Sequence, residues 1–361
     1  MAGDVTRLPV ALDAMGGDRA PDVVVAGALL ACSRGLGPIT LVGDAARIEA
    51  CLQRLGPGGA AVDVVHAAEA IGMAEHPGRA ARAKRQSSMH VGFGRVRQGE
   101  ACAFVSAGNS GAMMAVGLME LRRLPGCDRP AIASAMPSAA GPVVLLDMGA
   151  NVDCRASHLV QFALMGAAYA AATLGKERPT VGLLSNGTEP SKGTETLREA
   201  HRLLTQTDLK YVGFVEGRGV PMGEVDVVVT DGFVGNVVLK LSEGIALALI
   251  DRVRGQLADD WLGMVGAPLF KRQLRRLRDE LDWENVGGAP LLGLDGIGLV
   301  AHGAATPRAI ASAIRRAREY HAVGLVDALR VALEQSAFDD MTSTSELPLT
   351  RASGPHRPGD E

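Results

Sequence analysis

The chain has 361 residues, 47% of them apolar and 21% charged, a globular balance that excludes wholesale disorder. A formal net charge of −3 and only 3% aromatic residues exclude a global basic field or a stacking surface, so no nucleic-acid partner is expected. The 45 glycines follow no collagen-like period and point to many tight turns.

One pattern recurs along the chain: a continuously apolar run, a glycine-rich turn, then a helical segment. Runs that are apolar throughout suit strands buried on both faces of a parallel sheet. The alternation predicts an α/β fold, a three-layer, doubly wound and mostly parallel sheet, in a single domain over residues 1–341. In such sheets the turns at the carboxyl ends of the strands line the ligand crevice.

The first of these turns holds Asp13, Gly16, Gly17 and Asp18, whose carboxylates bind a metal or simply fix the turn. Arg79, Arg82, Lys84 and Arg85 form a basic stretch, either a solvated helix face or a seat for an acidic partner. Ser106 to Gly111 lie between a strand run and an Ala/Met/Leu-rich segment. Their amides, with Asn109, Ser110 and Gly111, either meet an oxyanion ahead of a helix dipole or make an ordinary turn. Lys192 is one of six lysines beside 31 arginines and sits in a glycine-bounded loop; it offers a compact charge to a phosphate or carbonyl oxygen, or is simply solvated.

Asp231 ends another apolar run, as a phosphate-orienting base or an Asx-turn residue. Asn236 is a cap or a ligand contact, and Lys240 follows one turn later. Residues 239–283 carry no strand signal and predict a helical hairpin, with Ile245, Leu249, Val253 and Leu257 on its first arm. Its tip holds Trp261, Leu262 and Phe270, and its second arm opens with Lys271, Arg272, Arg275 and Arg276. His302 ends the last apolar run, able to donate to a carbonyl or to serve as acid or base, unless it is a satisfied structural histidine. Residues 342–361 have no apolar period and are expected to be disordered.

The five scattered cysteines form no CxxC pair and are expected to be reduced thiols of a cytosolic protein. No secretory pattern opens the chain, and the longest apolar run, residues 160–174, is too short for a bilayer, so a soluble intracellular protein is expected. There is no GxGxxG after a strand run, no GxxxxGK[ST] and no HExxH, and residues 108–111 lack the last position of a nucleophile elbow. Neither a metal nor a cofactor is expected.

Taken in order, VALDAMGGD from Val10, SAGNSGA from Ser106, LDMGANVD from Leu146, the Lys192 loop, GEVDVVVTDGFVGNVVLKLSEG from Gly223, GGAPLLGLDG from Gly287, and His302-Gly303 resemble one family. These motifs resemble those of the bacterial phosphate acyltransferases of phospholipid synthesis, the acyl-carrier-protein:phosphate transacylases (PlsX). The resemblance spans roughly residues 8 to 335. It implies the isocitrate/isopropylmalate-dehydrogenase-like fold and attack of inorganic phosphate on a long-chain acyl thioester of acyl carrier protein. It also implies a cytoplasmic homodimer at the inner membrane surface that supplies a membrane glycerol-3-phosphate acyltransferase.

On this resemblance the 108–111 amides with Asn109 and Ser110 hold phosphate, while Lys192 and His302 stabilise the oxyanion or protonate the leaving thiolate. Asp231 and Asn236 orient phosphate or the pantetheine arm, and Asp13, Gly16, Gly17, Asn151 and Lys240 complete the substrate site. The two basic segments receive the acidic carrier, and the hairpin tip meets the membrane or a dimer partner. Two rivals remain: an NAD-dependent dehydrogenase of the same fold, and a non-catalytic scaffold for the carrier and the membrane acyltransferase.

Overall fold

A computed structural model describes residues 8–56, 62–259 and 287–343. In chain order these form β1 (Val10–Asp13), α1 (Asp22–Ser33), β2 (Ile39–Gly43), α2 (Ala45–Leu55), β3 (Val62–His66), α3 (Pro77–Ala83), α4 (Ser88–Arg97), β4 (Ala103–Ser106) and α5 (Ser110–Glu120). Then come β5 (Ala131–Met136), β6 (Val143–Leu146), α6 (Ala156–Leu174), β7 (Thr180–Ser185), α7 (Glu195–Leu204), β8 (Lys210–Glu216), α8 (Gly219–Met222), β9 (Val227–Val229) and α9 (Gly232–Asp259). The described chain closes with β10 (Ala289–Leu292), β11 (Gly298–Val300), α10 (Pro307–Ala322) and α11 (Leu325–Ser343).

The described strands make one sheet in the order β3-β2-β1-β4-β11-β10-β5-β6-β9-β7-β8. Strands β1, β2, β3, β4 and β11 run parallel. Strands β6, β9, β7 and β8 form a second parallel block. Antiparallel pairings of β10 with β11, of β10 with β5 and of β5 with β6 join the blocks, so the second runs opposite to the first. The expected mostly parallel α/β sheet is present, as two blocks of opposed sense.

The sheet is covered on both faces. Along β1, Val10 and Leu12 pack into the cluster that holds α1, α6 and α10, while Ala11 packs into the cluster that holds α4 and α5. Strands β4 and β6 alternate in the same way, with Phe104, Val143 and Leu145 on the second face. This two-sided burial is why their sequences are apolar at every position. The outer strands β3 and β8 are only partly buried, and their sequences admit Asp63, His66 and Lys210.

Arg318 is buried against the amino ends of β1 and β2, where its guanidinium donates to the carbonyls of Leu36 (2.6 Å), Pro38 (2.7 Å) and Leu8 (3.2 Å). Methionine fills similar volume with no donor, so the three carbonyls lose their charged partner. Arg318→Met is therefore expected to lower stability by about 3 kcal/mol, seen as a reduced urea midpoint. An unchanged midpoint would mean that the clamp does not hold α10 to the sheet.

The hairpin expected from residue 239 begins earlier: α9 starts at Gly232, so the residues between Asp231 and Asn236 form its first turns. The second arm and tip lie outside the described residues, and with them Trp261, Leu262, Phe270, Lys271, Arg272, Arg275 and Arg276. Helix α11 continues to Ser343, two residues into the stretch expected to be a tail; residues 344–361 lie outside the description.

Candidate active site

Four segments meet at the carboxyl ends of β1, β4 and β11: the β1–α1 turn, the β4–α5 turn, the β11–α10 turn, and a strap of residues 67–87. Asp13 is 1% exposed and its oxygens meet groups of the turns around it, which matches the turn-fixing alternative raised above. Its Oδ2 accepts from Ser106 Oγ at 2.6 Å, and its Oδ1 accepts from the Met15 amide at 3.0 Å. Ser106 Oγ in turn accepts from the Gly108 amide at 3.0 Å, so one carboxylate fixes the start of the β4–α5 turn. Burial pushes the Asp13 carboxyl up from its ordinary value, and the Ser106 hydroxyl opposes that shift.

Gly16 is required here. A β-carbon would stand 2.6 Å from Asp13 Oδ2 and 2.8 Å from the Gly108 amide. Gly17 has φ +103° and passes beneath the Gly303 carbonyl. Both shape the crevice through backbone.

Asn109 is the N-cap of α5, its Oδ1 accepting from the Ala112 amide at 3.1 Å. Its Nδ2 donates to the carbonyls of Met73 (3.1 Å) and Glu75 (3.0 Å). The side chain expected to hold phosphate instead ties the strap to α5. The opening amides of α5, at the exposed residues Ser110 and Gly111, have no preceding carbonyl of their own helix to bond and stand at its positive end.

His302 is exposed at the end of the β11 segment, and its Nδ1 accepts from the Ala304 amide at 3.2 Å. That bond leaves the ring proton on Nε2, so His302 presents a donor to whatever occupies the crevice. The Asp18 amide donates to the Gly303 carbonyl at 2.9 Å, closing the β1–α1 and β11–α10 turns on one another.

A second cluster forms at the carboxyl ends of β6, β9 and β7. Asp147 is its hub. Fully buried, it accepts at Oδ1 from the amides of Ile132, Gly149 and Ala150, and at Oδ2 from the Asn151 amide and side chain. Asn151 Nδ2 also donates to the Pro130 carbonyl at 2.9 Å. Both of its side-chain hydrogens are thus committed, and Asn151 supports the loop where a ligand contact was expected.

Asp231 Oδ1 accepts from the Val234 amide at 2.8 Å and caps α9, the Asx alternative raised above. The α9 turn packs closely on the Asp147 loop. A β-carbon at Gly235 would fall far inside contact distance of the Asp147 carbonyl, and Asn236 lies beside Gly149. Lys192 and Lys240 are exposed, Lys192 on the β7–α7 loop with its stem against Gly187.

The site expected from the sequence is therefore split. Asp13, Gly16, Gly17, Asn109, Ser110, Gly111 and His302 gather in the first crevice. Asn151, Lys192, Asp231, Asn236 and Lys240 belong to the oppositely directed second block. The hydrogen bonds described here stay within each cluster. Sequence reasoning singled out neither Ser106, Asp147 nor Met73 as individual residues, although an aspartate closing an apolar run before glycine was a signal for Asp147.

Arg79, Arg82 and Arg85 are exposed on and beside α3, with no ion pair among the described residues. Lys84 differs: its Nζ is 2.6 Å from Glu75 Oε1 and 2.7 Å from the Ala70 carbonyl, so it braces the strap rather than facing a partner. On α9, Phe233, Val237, Leu241, Ile245 and Leu249 form an exposed apolar stripe at helical spacing. Residues 232–253 are long and apolar enough to cross a membrane by length and composition, a stretch the sequence reading passed over in favour of residues 160–174.

The family model described as "Fatty acid synthesis protein" matches residues 8–327. The chain belongs to this family. It is 52% identical over 313 residues to a phosphate acyltransferase of Syntrophotalea carbinolica, covering 87% of this chain and 90% of the relative. It is 45% identical over 332 residues to one of Pelobacter propionicus, covering 92% and 96%.

Among solved structures, the fatty acid synthesis protein fold seen here resembles a phosphotransacetylase from Streptococcus pyogenes, with a TM-score of 0.59 at 16% identity over 91% of this chain and 95% of that one. It also resembles a 4-hydroxythreonine-4-phosphate dehydrogenase from Klebsiella pneumoniae, with a TM-score of 0.55 at 13% identity over 87% and 100%. These last two likenesses concern the fold alone.

Proposed function

We propose that the protein is a phosphate acyltransferase that moves a long-chain acyl group from the thioester of acyl carrier protein to inorganic phosphate. The observation that carries this reading is the first crevice: an Asp13–Ser106 pair that fixes the anion turn, the open amides of α5, and a His302 Nε2 donor. The names of relatives about half identical over most of the chain support it.

In this reaction a phosphate oxygen attacks the thioester carbonyl, the carbonyl oxygen takes the negative charge, and the tetrahedral intermediate collapses by expelling the carrier thiolate. The thiolate takes up a proton, leaving acyl phosphate and free carrier. Phosphate is itself the nucleophile, so the protein supplies charge neutralisation, position and oxyanion donors. The α5 amides hold phosphate, His302 Nε2–H donates a hydrogen bond to the oxyanion and keeps its proton, and the proton that hydrogen phosphate loses on becoming acyl phosphate goes to the thiolate.

Arg79, Arg82 and Arg85, exposed on the strap beside the crevice and without an ion pair among the described residues, suit an acidic carrier. The apolar α9 stripe suits a second copy, giving a homodimer in the cytoplasm. Contact with the membrane surface, and delivery to a membrane glycerol-3-phosphate acyltransferase, belong to the same reading. Such pairing is how Lys192 and Asn236 of one copy would serve phosphate held by the first crevice of the other. The dehydrogenase and scaffold readings each make a different forecast.

The test incubates purified protein with palmitoyl-carrier protein, with and without phosphate, and scores free thiol and acyl phosphate. Phosphate-dependent release of both is expected, with added salt raising KM for the carrier more than for phosphate. Carrier binding without thioester cleavage would favour the scaffold, and reduction of a nicotinamide cofactor would favour the dehydrogenase.

A further inference from the structure

Met73 lies on the strap, is 45% exposed, and is held in place by its backbone. Asn109 Nδ2 donates to the Met73 carbonyl, the Lys84–Glu75 ion pair braces the segment around it, and Glu69 bridges to Ser87 at the strap's ends. Its thioether end rests over the β11–α10 turn: a β-carbon at Gly303 would stand 2.7 Å from Met73 Cε. Gly303 follows His302, so this methyl group rests on the same turn that carries the donor assigned to the oxyanion. Of the large apolar side chains described on the four crevice segments, Met73 alone is exposed.

We propose that Met73 is a specificity-determining residue, the apolar contact that receives the acyl chain beside the thioester; this rests on the acyl-transfer reading above. The opening amides of α5 and the His302 donor suit phosphate, whereas the other large apolar side chains described on these segments are buried or partly buried. An unbranched thioether adapts to a flexible chain without demanding one shape. Its polar surroundings confine the apolar contact to one side, so the chain is directed along the strap and away from the anion turn.

The test compares Met73→Gln and Met73→Leu with the natural protein, using palmitoyl- and acetyl-carrier protein. KM in turnover is paired with titration of palmitoyl- and acetyl-pantetheine. Met73→Gln is expected to raise KM and Kd for the palmitoyl ligands about tenfold. The acetyl values and the KM for phosphate should move less than about twofold, and Met73→Leu should stay close to the natural protein. Equal losses for acetyl and palmitoyl, or no loss for either, would overturn the proposal. Should the natural protein transfer neither group, the function reading fails, and the pantetheine titrations still decide whether Met73 meets the chain. The side chain is exposed and makes no hydrogen bond described here, so Met73→Gln is expected to fold; an unchanged thermal midpoint checks this.

Discussion

His302→Ala is expected to lower kcat about a hundredfold or more while leaving the thermal midpoint unchanged. Its ring is exposed and, among the described residues, is anchored through Nδ1 to the Ala304 amide, so truncation costs the fold little. What it removes is the Nε2 donor, and deleting one preorganised oxyanion donor typically costs about 10²–10³ in kcat. Lys192→Ala is expected to do the same from the second cluster, by removing a compact positive charge from a loop that holds its shape without it: Asn186 Oδ1 accepts the Gly193 amide at 3.0 Å, and Thr194 caps α7. Because the two residues lie on oppositely directed blocks of the sheet, mixing the two inactive variants should form heterodimers in which one of the two composite sites is intact. Recovery to about a quarter of natural activity is expected from random pairing. No recovery would place both residues in one chain's site, and undiminished turnover in either variant would remove that residue from the chemistry.

Asp147→Ala is expected to have the largest effect on stability. It deprives four backbone amides and the Asn151 side chain of one shared acceptor, in a residue with no exposed surface. Each buried donor left without a partner costs about 1–3 kcal/mol, and even with partial rearrangement the loss should reach about 4 kcal/mol, a large part of a typical domain's stability. A reduced urea midpoint measures it; a shift below about 1 kcal/mol would mean that the loop re-forms without its hub. The pH dependence has a definite sign. Burial raises the carboxyls of both Asp13 and Asp147, so the folded chain keeps protons that the unfolded chain has released. Stability from these groups therefore falls as pH rises from the ordinary carboxylate value through their folded values.

The strands most legible in the sequence were those of the interior. β1, β4, β6, β7, β9 and β11 are buried on both faces, and continuous Val/Leu runs announce them. The outer strands were harder to see: β3 reads VDVVH and β8 KYVGFVE because each has one wet side. β5, AIASAM, is built of small residues that carry little strand signal. The reversal of direction at β5 and β6 had no local signature, since a tight antiparallel connection and a crossover both appear as polar residues between apolar runs. That reversal is why one expected site became two clusters.

The chemistry was legible as residue types and turns, while side-chain roles were not. Asp231, the turn around Asn109 and the basic stretch around Lys84 each had a ligand or partner reading and a structural one, and Asn151 a ligand reading; in the structure Asn109, Asn151, Asp231 and Lys84 all bond to backbone groups or to a neighbouring side chain. Asn and Asp at the end of a strand serve caps and loops through the same atoms they would offer a ligand, so sequence leaves the two uses equivalent. Gly16 shows the converse. Its need for close backbone approach was readable from its place in the turn, and the structure supplies the atoms that require it.

The most direct test of acyl transfer to phosphate supplies phosphate carrying four heavy oxygens, together with palmitoyl-carrier protein, and weighs the acyl phosphate formed. Attack by phosphate on the carbonyl carbon retains all four labelled oxygens in the product and releases carrier thiol in equal amount. Free fatty acid formed without phosphate, or acyl phosphate that has lost label, would contradict it.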